Sequence, residues 1–208
     1  MSYKINEQKR LIIRQKILTG AKRYKKYLMD KDFIVICEDG SIHRLKFFPK
    51  DFQHLTGVLS DLSESDFFKR CYDKTISVQN ILEDQKYNFS TLKFKTMKVE
   101  YIDKIIYGNS QNSLFMINLH TKTRDYPVAV RNKDMDTCIG FTGTINRART
   151  LRKYAKSEQA DKQLEIIAIF GKRIIDQIYS EQIYVKSREE LLRIAPEMVE
   201  KVIHQNLS

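Results

Sequence analysis

Residues 33–58 read F-I-V-I-C-E-D-G-S-I-H-R-L-K-F-F-P-K-D-F-Q-H-L-T-G-V. The run Phe33 to Cys37 is apolar, and Ile42, Leu45, Phe47 and Phe48 follow Asp39-Gly40. Asp-Gly between two β-rich runs predicts a hairpin. Pro49 closes the second strand, because it has no N–H to give to a ladder. Phe52, Leu55 and Val58 then recur every third residue, as the buried face of a short helix or tight turn does. Gly57 can end that turn in a left-handed conformation. His54 sits on the turn with Thr56 behind it. A histidine held beside a hydroxyl at a chain reversal can exchange protons near neutral pH. The same ring can equally be structural, bonded to a nearby carbonyl.

Upstream, residues 6–29 read as one long helix. Leu11, Ile12, Ile17, Leu18, Tyr24 and Leu28 approximate its apolar stripe, and Gly20 is expected to weaken or bend its middle. Downstream, Ser63 with Asp66 resembles a capping box opening a helix through Phe67, Phe68, Cys71 and Tyr72, with Lys69 on it. Ser77 is expected to cap a short helix carrying Val78, Ile81 and Leu82. Residues 96–106 read as helix. The second half is β-rich, with strands expected at 114–119, 126–130, 137–141, 164–170 and 183–185. Ser187 with Glu190 caps a helix over 188–204 that Pro196 should break or kink. The sum is an α+β fold: an antiparallel sheet with a long N-terminal helix and flanking helices. The expected division is a basic N-terminal helix (1–30), an α+β domain (31–186) and a C-terminal helix (187–208).

The 208 residues are 42% hydrophobic, with seven Gly and three Pro, enough for a real core without long linkers. No apolar run is long enough to span a membrane, the N-terminus is polar, and Cys37, Cys71 and Cys138 are scattered. A cytoplasmic chain with reduced thiols is therefore expected. The net charge of +11 points to a polyanionic partner, most often nucleic acid. It is concentrated in two places. Residues 1–31 carry ten bases against two acids, and 137–157 carry Arg147, Arg149, Arg152, Lys153 and Lys156 with no acid. Lys22, Arg23, Lys25 and Lys26 from the first block, with Arg147, Arg149, Arg152 and Lys153 from the second, are the candidate nucleic-acid-binding residues.

The run Phe52-Gln53-His54-Leu55-Thr56-Gly57-Val58, followed by Leu62-Ser63 and Phe67-Phe68-Lys69, resembles the signature of a phage-associated branch of the Barnase–EndoU–colicin–RelE nuclease superfamily. The downstream runs S-L-F-M-I-N-L, Y-P-V-A-V and L-E-I-I-A-I-F are similar too. The resemblance spans about residues 30–185, and it implies a metal-independent ribonuclease, a toxin or mobile-element effector, working by attack of the ribose 2′-OH. Such a reaction needs a base, a cation at the phosphate and an acid. His54 is then the base or acid; Lys69, or Arg149 and Arg152 from the acid-free block, supplies the cation; and Tyr126 or Thr56 is a phosphate hydrogen-bond donor. RNA is favoured over DNA as partner, and a protein antitoxin or host target is the expected protein partner.

Other chemistries find no pattern. The sequence lacks G-x-x-x-x-G-K-[ST], G-x-G-x-x-G, H-E-x-x-H, C-x-x-C and G-x-S-x-G, so no cofactor or metal is expected. His43, His120 and His204 read as idle or structural. The alternative to the ribonuclease is a non-catalytic binder of nucleic acid or nucleoprotein, such as a mobile-element inhibitor of host defence, that keeps a nuclease-like fold.

Overall fold

A computed structural model describes residues 6–82, 89–108, 110–154 and 158–199. Helix α1 (Glu7–Tyr27) starts at Asn6, whose side chain accepts the Lys9 N–H, and carries Lys25 and Lys26 in its last turn, as the helix dipole favours. Ile13, Ile17, Ala21 and Tyr24 are completely buried along it. The stripe expected through Leu11 and Ile12 is displaced by one residue, since both are exposed and Ile13 takes the core position. α1 continues without a break through Gly20. A Cβ there would lie 2.2 Å from Val99 Cγ1, so the glycine lets α1 cross a second helix at close range.

That second helix is α4 (Phe89–Val99), which follows α2 (Asp51–Thr56) and α3 (Glu64–Tyr72). The single helix expected over 96–106 is two, α4 and α5 (Lys104–Tyr107). Phe89, Thr96 and Val99 belong to α4 despite their strand preference. Leu92, Thr96 and Val99 are buried on one face of it, and Thr96 Oγ1 donates back to Leu92 O at 3.0 Å. Packing overrides propensity here. Ser63 caps α3 as expected, whereas Ser77 opens only a short 3₁₀ turn, Val78–Asn80.

The strands are β1 (Lys31–Cys37), β2 (Ile42–Lys46), β3 (Ser113–His120), β4 (Tyr126–Asn132), β5 (Thr137–Thr142), β6 (Arg147–Lys153), β7 (Gln159–Arg173) and β8 (Glu181–Val185). They correct the open antiparallel sheet that the sequence predicts. Seven of them close into a mixed barrel in the order β1-β2-β6-β5-β4-β3-β7 and back to β1, and β8 pairs with β7 outside the ring. All pairings are antiparallel except β2–β6, which is parallel and rests on one register pair, Lys46 with Arg147. Closure depends on the length of β7. Its first half pairs with β3 and its second half with β1. Only 164–170 read as strand, because the first half is polar. β6 read as a charge block and not as a strand, because only Ala148 and Leu151 point inward from it.

The inner face of the barrel, with Phe33, Phe47, Phe115, Val130, Ile139 and Phe141, shares one core with α1 to α5. Ile34, Ile36, Ile167 and Phe170 on the outer face are covered by Leu191 and Ala195 of and after α6 (Arg188–Ile194). Burial on both faces explains why β1 reads as a continuous apolar run. Pro196 stops α6 and opens a three-residue turn, α7 (Pro196–Met198). The remainder of the helix expected to residue 204, His204 included, lies outside the described residues.

Candidate active site

The site is built on α2. Phe52 and Leu55 bury one side of it completely. Gly57 ends it at φ 67°, with its N–H directed at Gln53 O and His54 O. Thr56 is fully buried. Its Oγ1 donates to Gln53 O at 2.7 Å and accepts the Val58 N–H at 3.0 Å. That hydroxyl is spent on the turn, which corrects the expectation that Thr56 reaches a phosphate. Asp51, at the start of α2, is also fully buried and pairs with Arg147 at the β2–β6 seam. This clamp fixes α2 against β6.

On β6 the pairing with β5 slips between Gly140 and Phe141, so that Arg149 is the extra residue. A β-bulge of this kind re-aims side chains. Here Ala148 and Leu151 stay buried, while Arg149 and Thr150 both turn toward α2 and line a cleft of about 460 Å³.

His54 from α2, Glu64 from α3, Lys95 from α4, Tyr126 from β4 and Arg149 from β6 share that cleft, which Arg124 also lines. His54 Nε2 lies 2.6 Å from Glu64 Oε1. The nitrogen is covered, and the carboxylate sits off the line of an aligned hydrogen bond. Burial holds the His54 pKa below its ordinary value, and the Arg149 charge lowers it further; Glu64 opposes both without reversing them. The neutral ring is therefore favoured. Two glycines make room for neighbouring side chains. A Cβ on Gly57 would lie 2.6 Å from Lys95 Cδ, so the lysine stem crosses the end of α2 on its way into the cleft. A Cβ on Gly140 would lie 2.6 Å from Tyr126 Cδ1, so the tyrosine ring packs against bare backbone. Tyr126 is only 6% exposed, yet it lines the cleft.

The structure thus brings together three of the residues that the sequence singled out, His54, Tyr126 and Arg149. Lys69 is exposed on the last turn of α3 and does not line the cleft. Arg147 is committed to Asp51. Arg152 pairs with buried Glu158, and Lys153 with Asp136 at 3.2 Å; both border a neighbouring lobe. The α1 cations face elsewhere. Arg23 pairs with Asp103 at 2.5 Å, Lys25 pairs with Asp30 at 2.5 Å, Lys26 lies over the Tyr27 ring, and Lys22 is exposed. His43 is half-buried and stacks on Phe115 at 4.2 Å, while Ile42 beside it is exposed. His120 is the exposed last residue of β3 and lies between Asp125 and Asp161.

Glu64 and Lys95 escaped the sequence reading. Glu64 follows the Ser63 cap, where an acid is ordinary first-turn helix chemistry and signals no site. Lys95 fell one residue before the helix expected to start at 96. Among the described residues no three His, Cys, Asp or Glu side chains converge as a metal site, and no helix is long and apolar enough to cross a membrane. A family model described as phage-Barnase-EndoU-ColicinE5/D-RelE like nuclease4 matches residues 16–188. No curated protein and no solved structure matches the chain.

Proposed function

The chain belongs to that nuclease family, and from this premise we propose that it cleaves RNA by attack of a ribose 2′-OH on the adjacent phosphate. The observation that carries the reading is the His54–Glu64 contact, 2.6 Å, on the wall of a cleft that also holds Arg149 and Lys95. RNA brings its own nucleophile, so the protein has to supply only proton transfer and charge.

His54 is the general base. Its neutral form is favoured, and with Nε2 held against Glu64, Nδ1 is the nitrogen that takes the 2′-OH proton. Glu64 orients the ring and stabilises the imidazolium that forms. Arg149 and Lys95 bind the non-bridging oxygens as negative charge builds on them. Lys95 and Tyr126 are the other ionisable donors in the cleft besides the arginines, and the leaving 5′-oxygen takes its proton from one of them. The family's phage association supports a role as a toxin or mobile-element effector.

Two measurements test this. Cleavage of a single RNA should yield a 2′,3′-cyclic phosphate and a 5′-hydroxyl, and replacing the ribose 5′ to the cut by 2′-deoxyribose should stop the reaction. Cleavage of that 2′-deoxy substrate at the same site and rate sinks the mechanism. The second measurement is the pH profile. Activity should rise with pH as His54 loses its proton, with the rising limb below the ordinary histidine value of about 6.5. Arg149→Gln removes a charge that lowers the His54 pKa, so the limb should move to higher pH even as the rate falls. Glu64→Gln removes a charge that raises it, so the limb should move lower. Limbs that stay put in both variants would show that His54 is not the titrating base.

A further inference from the structure

Beside the cleft opens a second lobe of about 470 Å³. Lys95, Tyr126 and Thr150 line both spaces, so the two adjoin as neighbouring compartments. The compartments differ in character. The first carries the ion pair and cations already described. The second is walled by Phe94, the residue next to Lys95 on α4, and by the buried Tyr126 ring; Thr123 and Thr150 supply hydroxyls, and Arg152 and Lys153 border it. Phe94 is half-buried, with the Lys98 ammonium 5.4 Å from its ring centroid.

We propose that this second lobe is a nucleobase subsite, and that the substrate is single-stranded RNA which inserts one unpaired base there while the neighbouring phosphate meets Lys95 and Arg149. The inference rests on the RNA-cleavage reading and narrows its substrate class. A phosphate seated in the first compartment has a base one sugar away on either side, and the shared residues set the second compartment at that adjoining position. An aromatic wall provides the face on which any base stacks. The two threonine hydroxyls each donate and accept, so they can meet base edges of either polarity. The cations at the border continue the phosphate track without filling the lobe. A base paired in a duplex is stacked and hydrogen-bonded within its own helix, and cannot enter without being extruded.

The test uses full-length protein and a short 2′-fluoro RNA, which lacks the nucleophile and binds without turnover. Binding is followed by fluorescence anisotropy for the single strand, for its duplex, and for copies carrying one abasic residue at each position. The single strand should bind roughly tenfold or more tightly than the duplex, and one abasic position should cost roughly tenfold, as loss of one stacked base does. Phe94→Ala should erase that abasic penalty, and Phe94→Tyr should keep it. Phe94→Leu, which keeps apolar bulk without the aromatic face, gives the same reading as the alanine variant where alanine lowers the melting temperature. A wild type indifferent to every abasic position overturns the subsite, and so does a folded Phe94→Leu with the full penalty. Base discrimination without cleavage of the unmodified RNA sinks the ribonuclease reading and leaves the subsite standing. Cleavage without discrimination does the reverse.

Discussion

His54→Ala should reduce cleavage by about 10²–10⁴-fold, the usual loss when a general acid or base is removed. The fold should hardly change. His54 contributes a ring that is 28% exposed, and α2 is anchored by Phe52, Leu55 and its Gly57 cap. Substitutions outside a core or a buried network usually stay within about 0.5 kcal/mol, so the melting temperature should move by a degree or two at most. Rate and melting temperature measured on one preparation separate the two roles of this histidine. A structural histidine gives lower stability with unchanged activity per folded molecule, and that result would falsify the assignment. Lys69→Ala is the internal control. The sequence placed Lys69 beside His54 in one motif, yet the structure puts it on the solvent side of α3, so its loss should leave the rate unchanged.

The contrast between His54 and Lys69 shows what the sequence can and cannot carry. Local features were legible because local physics sets them. Asp39-Gly40 makes its hairpin, Ser63 caps α3, and Gly57 stops α2 in a left-handed turn, whereas β2 ends at Lys46, short of Pro49. Closure of the barrel was not legible, because it depends on which edges a 15-residue β7 offers to β3 and to β1, and its polar first half does not look like a strand. The cleft was half legible for the same reason. His54 stands in a recognisable motif, and Tyr126 opens a recognisable strand. Arg149 stands out in the sequence as a candidate phosphate cation, with Arg152 the alternative to Lys69, but nothing in its position announced the bulge that separates it from Arg147 and Arg152. Glu64 and Lys95 become site residues solely because α3 and α4 pack beside α2. Lys95 in addition needs the missing Cβ of Gly57 to reach the cleft.

The bond that holds this arrangement together is the one between Asp51 and Arg147. The Asp51 carboxylate is completely buried. One oxygen accepts both Nε and Nη2 of Arg147, the Nε contact at 3.1 Å, and the other accepts the Phe48 N–H at 2.9 Å. Arg147 also forms the single parallel register pair that joins β6 to β2. The pair therefore closes the barrel at its weakest seam and sets α2 against the strand that bears Arg149. Asp51→Ala should leave a guanidinium facing a vacated pocket and an unpaired Phe48 N–H. Breaking a buried ion pair by removing one partner costs about 3–5 kcal/mol. Arg147 is 27% exposed and can turn partly to water, so the expected cost is about 2–4 kcal/mol. For a domain of this size that lowers the melting temperature by roughly 5–15 °C. Activity per folded molecule should fall as well, because His54 lies one turn along α2 from the lost clamp. Replacing both partners by apolar residues, Asp51→Leu with Arg147→Met, should restore stability better than either single change and leave the rate low. A single Asp51→Ala variant that melts like the wild type, or a double variant no more stable than the sum of its parts, would show that the seam is held by the hydrophobic contacts of α2 instead.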